Sequence, residues 1–369
     1  MNNGVAYLKN GDIVGGIYQV KELVKEGSTG VIYKCRDRQR NREAAVKRFF
    51  PDKLIPEIAE KAFAESKLNI RSDYAVTAEK TFLENGIINL VMPFVDGESL
   101  EDVLAGGVKI EEKKAVYITR CITRACVDLH SIGILSSDIK SGNVMVLRDD
   151  SARLIDFSCF EVTGKRASAS RGSKPYAAPE LLRHDYLSEA TDIYSIGVVF
   201  FEMLVGSSVF ANESAHWEEN ALMGYKPDIS VVSRLYPTAG RIIDRAIELN
   251  PKDRYQSATE LFNHLSSYQD LLSGNTKGKN LILVYGNGNE LWMKPGRAVI
   301  GRNNIDRANC YVSERHLEIE FDGRRVKIRD AGSTNGTRIN GYKLDGKWVE
   351  VRNADVVSMA DVNLKVCLS

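Results

Sequence analysis

The first part of the chain alternates hydrophobic and polar residues with the period of β-strands. Short runs of this kind lie at residues 18–24, 30–37, 43–50, 74–82 and 86–94. One run with helical spacing, about residues 56–70, interrupts them. The pattern predicts a sheet of short strands accompanied by one helix, ending near Val95.

From about Ser99 the hydrophobic spacing becomes that of helices, as in KAVYITRCITRACVDLHSIG at 114–133. The most apolar run, SIGVVFFEMLVG at 195–206, is too short to span a bilayer and contains Glu202. We therefore predict a buried core helix there, with no membrane span. The helix-rich region is predicted to end near Leu272.

Past residue 280 the strand pattern returns, in short runs separated by turns rich in glycine and asparagine. The runs are LILVYG, AVIGR, HLEIEF, RVKIRD, WVEVR and NLKVCL. Such spacing over residues 280–369 predicts an all-β sandwich. The preceding stretch SGNTKGK, residues 273–279, is small and polar, which is typical of a linker.

The amino-acid composition indicates the broad class of protein but not its function. The 369 residues are 43% hydrophobic and 27% charged with a net charge of +1, which indicates a soluble multidomain protein rather than a nucleic-acid binder. The first residues contain no long apolar stretch, so we predict no signal peptide. The six cysteines show no CxxC pair or zinc spacing, and we expect reduced thiols in a cytoplasmic protein.

The first candidate chemistry is a phosphate site in the strand-rich part. Gly27 and Gly30 lie in a strand–turn–strand context where backbone N–H groups could approach phosphates, although an ordinary hairpin has the same pattern. Lys47 follows on a later strand and would need a carboxylate partner. Glu65 in the predicted helix has the better spacing for that role, with Glu60 as a competing choice.

Further motifs follow in a fixed order: Asp138-x-Lys140-x-x-Asn143, Asp156-Phe157, Ala177-Ala178-Pro179-Glu180, Asp192 and Arg254. Together with the glycines and Lys47 they resemble the eukaryotic-type (Hanks-type) Ser/Thr protein kinases over about residues 15–272. The resemblance implies an α+β bilobal fold, with an N-lobe at about 15–95 and a C-lobe at about 96–272. A compact kinase of this kind also resembles bacterial members of the family.

The resemblance implies a role for each motif residue. Lys47 would bind the ATP phosphates and pair with Glu65, and Asp138 would orient the proton of the substrate hydroxyl. Asn143 and Asp156 would hold Mg²⁺, with Mn²⁺ as an alternative. The residues expected around ATP are Gly27, Gly30, Val31, Ala45, Lys47, the gatekeeper-like Met92, and the hinge residues Pro93 and Val95.

Other motif residues concern substrate choice and support. Lys140, as a further catalytic residue, and Ser173 match the Ser/Thr branch of the family rather than the tyrosine branch. By the same resemblance, Glu180 and Arg254 would form a buried ion pair. Asp192 would brace the backbone of the catalytic loop.

Three serines depart from the family pattern at positions 136, 137 and 158. Ser137 stands where the family has an arginine, whose buried charge is usually matched by a phosphate on the activation segment. We expect activity to depend weakly on such a phosphate. Candidate autophosphorylation sites are Thr163, Ser168 and Ser170, with Thr276 in the linker.

The C-terminal part carries its own set of motifs: Gly301-Arg302, Ser313-x-x-His316, Asp330 to Thr337, and Asn340-Gly341. In this order they resemble the forkhead-associated (FHA) domain over about residues 280–369. The resemblance implies that Arg302 and Ser313 contact a phosphothreonine while Thr334 and Asn335 hold the peptide backbone. His316 is expected to brace the loops. Glu314 departs from the pattern, because a carboxylate near phosphate would repel it.

The combined prediction is a multidomain Ser/Thr kinase that transfers the ATP γ-phosphoryl group to protein hydroxyls. Its FHA module would dock a phosphothreonine protein or the chain's own phosphorylated segment. One alternative is a pseudokinase scaffold that binds nucleotide and acts through the FHA domain alone. A second is a kinase fold acting on small molecules, which the peptide-binding pattern around Ser173 opposes.

Overall fold

The chain folds into two compact units, Met1–Phe262 and Asn263–Ser369. The computed structural model describes residues 7–27, 29–53, 55–68, 70–167, 174–207, 226–273, 281–286, 289–306, 308–352 and 354–368. The predicted linker at 273–279 lies, apart from Ser273, outside the described residues. A helix at 258–272 begins in the first unit and ends in the second, so the division falls ahead of that linker.

The N-lobe is an antiparallel sheet with strand order β1-β2-β3-β4-β7-β6. Its elements are β1 (Ile13–Val14), β2 (Tyr18–Glu26), β3 (Gly30–Asp37), β4 (Arg42–Phe49), α1 (Pro56–Glu65), β5 (Ala75–Val76), β6 (Lys80–Glu84) and β7 (Ile87–Pro93). The run at 74–82, expected as one strand, is divided between two sheets. Its first part, β5, is the parallel neighbour of a C-lobe strand.

Side-chain alternation gives this sheet two apolar faces. On one face Val31 and Tyr33 of β3 pack with Val46 of β4. On the other face Ala45 of β4 packs with Met92 of β7. This second face adjoins a hairpin of the C-lobe, because Met145 and Ile155 of that hairpin pack against the same apolar cluster.

The helical part begins after the N-lobe sheet and contains short strands between its helices. In chain order the elements are β8 (Glu98–Ser99), α2 (Leu100–Val103), α3 (Glu112–His130), β9 (Ile134–Leu135), β10 (Val144–Val146), β11 (Ala152–Ile155), β12 (Glu161–Val162), α4 (Pro179–Leu182), α5 (Glu189–Val205), α6 (Ser230–Leu235), α7 (Pro237–Ala246) and α8 (Ala258–Leu272). Strands β10 and β11 form a hairpin, and β12 pairs with β9.

Helix α5 is the predicted buried core helix. Its start is capped by a hydrogen bond from Ser188 N–H to Thr191 Oγ1, and it ends at Gly206, whose φ of 77° suits glycine. The carboxylate of Glu202, which interrupts the apolar run, accepts the Tyr176 hydroxyl at 2.9 Å. Among the described residues, every helix is too short or too polar to cross a bilayer.

The predicted ion pair between Glu180 and Arg254 is confirmed. Both guanidinium nitrogens Nη1 and Nη2 donate to the carboxylate, at 2.7 and 2.9 Å. The two side chains are 5% and 0% exposed. This bidentate pair ties helix α4 to the segment before α8.

The second unit contains two antiparallel sheets, as predicted for a sandwich. Its elements are β13 (Leu281–Tyr285), β14 (Asn289–Met293), β15 (Gly296–Ile300), α9 (Arg302–Ile305), β16 (Leu317–Phe321), β17 (Val326–Asp330), β18 (Thr337–Ile339), β19 (Tyr342–Lys343), β20 (Val349–Val351), β21 (Val356–Met359) and β22 (Val362–Leu368). The sheet orders are β14-β13-β22-β21-β18-β19 and β15-β16-β17-β20. Strands β14, β18, β19 and β21 were not predicted, because they are short or lie among turn residues.

Candidate functional site

The loop between β9 and β10 is held through its backbone by one buried carboxylate. Asp192 of helix α5 is 0% exposed. Its Oδ2 accepts the N–H of Ser136 at 2.9 Å, and its Oδ1 accepts the N–H of Ser137 at 2.8 Å. Ser137 has a φ of 58°, an uncommon conformation for a residue with a side chain. This is the bracing role that the sequence assigned to Asp192.

His130 at the end of α3 completes this network. Its Nε2 lies 2.8 Å from Asp192 and its Nδ1 lies 3.1 Å from Glu189. Burial alone would lower the pKa of His130, but the hydrogen bonds to the two carboxylates raise it to about 9. Cys126, His130 and Asp192 are close enough to bind a metal. Because both imidazole nitrogens already bond carboxylates, we interpret the group as a charged hydrogen-bond network.

The catalytic-loop residues Asp138, Lys140 and Asn143 come together as predicted. Lys140 Nζ lies 2.8 Å from Asp138 Oδ2. Asn143 Nδ2 donates to the Asp138 carbonyl oxygen at 2.9 Å and to Asp138 Oδ2 at 3.1 Å. The loop therefore holds a carboxylate beside a lysine and an amide.

The β10–β11 hairpin brings Asn143 next to Asp156. Val144 pairs with Leu154 in the antiparallel register, so Asn143 before β10 and Asp156 after β11 lie at the same end of the hairpin. Asp156 has a φ of 62°, and its Oδ1 accepts the Ser158 hydroxyl at 2.7 Å. Ser158 is the third residue of the Asp156-Phe157-Ser158 segment, and its hydroxyl donates to the carboxylate of the first residue.

Lys47 pairs with Asp156, at 2.7 Å between Nζ and Oδ2. Burial would raise the pKa of Asp156, but Lys47 beside it lowers that pKa to about 2. Glu65 is 1% exposed, and burial raises its pKa to about 8. Among the described ion pairs, none joins Lys47 to Glu65. This differs from the expected pairing, because the Lys47 ammonium lies against Asp156 and Glu65 accepts the Ala78 N–H instead.

Glu65 is nevertheless the carboxylate of α1 that faces the site. Its Oε1 accepts the Ala78 N–H at 3.2 Å, while its buried Oε2 has no hydrogen-bond partner. Glu60, the competing choice, is exposed.

The apolar lining requires one correction. Ala45, Met92 and Val95 share one buried cluster, whereas Val31 is 0% exposed in the cluster on the opposite face. Ile32, the next residue, packs against the Ala45 cluster instead, because neighbouring strand residues point to opposite faces. Met145 and Ile155 of the hairpin pack there too. Sequence reasoning missed these three, although the strand alternation could have selected Ile32.

The expected ATP-site glycines and hinge have distinct environments. A side chain at Gly30 would place its Cβ 2.3 Å from the Arg48 carbonyl oxygen, so β4 itself requires glycine there. Gly27 N–H donates to the Gly30 carbonyl at 2.9 Å, which closes the turn. Pro93 is the last residue of β7 and lies opposite Ala44 of β4, so the strand ends where the backbone N–H is missing.

The candidate phosphorylation sites are described only in part. Thr163 is exposed, and its N–H donates to the Gly133 carbonyl oxygen at 3.0 Å. Ser168, Ser170, Ser173 and Thr276 lie outside the described residues.

In the second unit, loops at one end of the sandwich bring the predicted phosphopeptide residues together. Ser313 Oγ accepts the Thr334 N–H at 3.1 Å, and Ser313 O accepts the Arg302 N–H at 3.1 Å. Asn335 Nδ2 donates to the Tyr311 carbonyl at 2.8 Å. A side chain at Gly301 would place its Cβ 2.0 Å from the Glu314 carbonyl oxygen, so glycine permits this approach.

Two buried polar residues hold these loops. His316 is 0% exposed; its Nδ1 accepts the Ser313 N–H at 3.1 Å, and its Nε2 lies 3.1 Å from the Gly336 carbonyl. The bracing role predicted for His316 is confirmed. Asp330 accepts the hydroxyls of Ser333 and Thr337, both at 2.7 Å. Partial burial by itself would raise the pKa of Asp330, but these hydrogen bonds keep that pKa below its usual value.

Glu314 turns toward Arg302. Its Oε1 lies 3.2 Å from Arg302 Nη2, with the two side chains 70% and 34% exposed. The carboxylate that was expected to repel a phosphate is thus the present partner of the guanidinium expected to bind it.

Comparison with known proteins shows that the chain belongs to the protein kinase family, whose domain model matches residues 18–266, more than half of the chain. The FHA domain model matches residues 294–360. A probable serine/threonine-protein kinase of Clostridium perfringens is 28% identical over 268 residues, covering 69% of this chain and 38% of the relative. The serine/threonine-protein kinase PknH of Mycobacterium tuberculosis is 28% identical over 255 residues, covering 67% and 41%. The chain thus spans well under two thirds of the length of these relatives.

The His130 network predicts a pH dependence of stability. A pKa raised from the ordinary 6.5 to about 9 stabilises the fold fully below pH 6.5, and that stability is lost as the pH rises through about 9. We expect the free energy of unfolding to fall by on the order of 3 kcal/mol across this window. Chemical denaturation at several pH values would measure it. His130→Gln should remove this slope, and equal slopes in both proteins would contradict the assignment.

Proposed function

We propose that this chain is an ATP-dependent Ser/Thr protein kinase, with an FHA module that binds phosphothreonine segments. The register of the β10–β11 hairpin supports the proposal most directly. It brings Asn143 beside Asp156, while Asn143 bonds to Asp138 and Asp156 bonds to Lys47. Two side-chain contacts and the hairpin register therefore relate the residues expected to bind phosphate, hold a metal and orient the substrate hydroxyl.

The donor set suits a magnesium ion. Asp156 is ionised at neutral pH, since its pKa is about 2, and Asn143 directs its amide nitrogen to Asp138. The Asn143 amide oxygen and the Asp156 carboxylate are the hard oxygen ligands that Mg²⁺ or Mn²⁺ prefers. The ion would supply positive charge to the phosphates of bound ATP.

The remaining residues position the reacting groups. Lys47 would hold phosphate oxygens, and Asp138 would orient the hydroxyl of the protein substrate and accept its proton. Lys140, at 2.8 Å from Asp138, would contact the transferred group. The adenine would lie against the face formed by Ala45, Met92 and Ile32.

The direct test is phosphotransfer from labelled ATP·Mg²⁺ to a generic protein substrate. We expect Asp138→Asn to lower the rate by about a hundredfold or more, because it removes the group that accepts the proton. Asp150→Asn, which alters the surface ion pair with Lys114, is the matched control and should keep the rate. If the unaltered protein transfers no more than Asp138→Asn, the pseudokinase scaffold becomes the better hypothesis.

The environment of Ser137 supports activity without activation-segment phosphorylation. Ser137 is 3% exposed and its hydroxyl has no hydrogen-bond partner, so this position has no positive charge for a phosphate to neutralise. The loop backbone is held by Asp192 instead. The catalytic loop is therefore of the type that lacks the usual arginine before the aspartate.

This leads to a second expectation for activity. Thr163→Ala, Ser168→Ala and Ser170→Ala should each change the rate by less than about threefold, because Ser137, the residue before Asp138, carries no charge for a phosphate to neutralise. The same assay after phosphatase treatment checks it, with mass spectrometry to locate phosphorylated residues. A large loss in any of the three variants would show that a phosphate is needed. Ser173 is left unchanged, since its family role is to contact Asp138.

For the FHA module, the position of Arg302 carries the proposal. Arg302 and Ser313 lie at the loop end of the sandwich and are joined by a backbone hydrogen bond. Thr334 and Asn335 donate hydrogen bonds to Ser313 and Tyr311 of the same loop. A phosphothreonine would accept hydrogen bonds from Arg302 and Ser313, and Asn335 would hold the peptide backbone. The bound segment would belong to a partner protein or to the chain itself, for example at Thr163.

A phosphate must compete with Glu314 for the Arg302 guanidinium. We expect Glu314→Gln to tighten binding of a degenerate phosphothreonine peptide pool by about threefold, since an exposed ion pair contributes up to about 1 kcal/mol. Arg302→Ala should weaken binding by about tenfold or more. Retention of the labelled pool on immobilised protein measures both effects.

The matched control is Glu320→Gln, which alters an exposed pair of the same length with Arg297. It should leave retention unchanged, as should an unphosphorylated pool. Weaker binding by Glu314→Gln would mean that Glu314 supports the peptide rather than competing with it.

A further inference from the structure

An ion pair in the kinase unit links two segments that are far apart in the chain. Lys61 Nζ of helix α1 lies 2.9 Å from Glu161 Oε1 of strand β12. The two side chains are 13% and 9% exposed, so water screens their attraction less than at an open surface. Lys61 also lies 4.0 Å from Glu57, one helical turn earlier.

On the helix side, the pair is connected to Glu65. Lys61 and Glu65 are four residues apart, so they lie on the same face of α1. Within this fully described helix, only Ala62 and Glu65 are buried. Ile58 and Ala59 pack against the apolar cluster of the sheet, and the partly buried ion pair adds a polar contact between this helix and β12.

On the strand side, the pair is connected to both catalytic carboxylates. Glu161 follows Asp156 by five residues. Strand β12 pairs with β9, with Glu161 opposite Leu135, and β9 leads directly into the loop that contains Asp138. A displacement of Glu161 would therefore act on both segments.

We propose that the Lys61–Glu161 ion pair positions helix α1, and with it Glu65, against the two segments that carry the catalytic carboxylates. The proposal rests on the kinase function proposed above. Glu161 is part of the chain, so the link to Lys61 needs no modifying enzyme to form. It supplies, from within the sequence, a negative charge that joins the helix to the segment following Asp156.

The ion pair can be tested by a double-mutant cycle on phosphotransfer. Lys61→Met and Glu161→Gln should each lower kcat by about tenfold, with KM for the protein substrate changed by less than about twofold. The double variant should lose about as much as either single variant, because all three lack the same interaction. Lys61→Arg keeps the charge and should retain most of kcat. Lys114→Met, which removes an exposed pair with Asp150, is the control and should keep kcat.

A second measurement does not depend on catalysis. Hydrogen exchange of the α1 amides should be faster in Lys61→Met and Glu161→Gln than in the unaltered protein, and unchanged in Lys114→Met. If the unaltered protein transfers no phosphate, the kinase proposal fails while exchange still tests the ion pair. Additive losses in the double variant, or unchanged exchange in α1, would overturn the positioning role.

Discussion

The kinase unit depends on one buried carboxylate, Asp192. It accepts hydrogen bonds from two successive backbone N–H groups of the catalytic loop and from the imidazole of His130. A charge with no exposure to water is stable only when its oxygens are bonded, and these bonds satisfy it. Because Asp192 lies on helix α5, whose residues are mostly buried, the loop with Asp138 is positioned by an element of the core.

This arrangement explains how two serines are tolerated next to Asp138. Asp192 bonds to the backbone of Ser136 and Ser137, so their side chains are not needed to position the loop. Both hydroxyls are buried without a hydrogen-bond partner, at a cost of about 1–3 kcal/mol each. The position of this loop therefore comes from backbone hydrogen bonds to Asp192 rather than from the two serine side chains.

Carboxylates of the chain itself stand beside each important cation. Asp156 pairs with Lys47, Glu161 with Lys61, and Glu314 with Arg302. The first two pairs are partly or largely buried, so they fix elements relative to one another. The third is exposed, and an exposed ion pair contributes little stability. The same kind of ion pair thus joins distant segments in one unit and links neighbouring loops in the other.

Much of the fold and of the candidate site was predictable from local sequence. Hydrophobic period predicted the strand-rich lobe, helix α5 and the sandwich, and motif order indicated Asp138, Asn143, Asp156 and Arg302. Other features depend on contacts between distant segments. The partner of Lys47 depends on how the segment that carries Asp156 is placed beside β4, and the direction of Val31 depends on which sheet face adjoins the hairpin. The sequence by itself determined which charged groups exist; the tertiary structure decided which of them lose water, and therefore which pairs form.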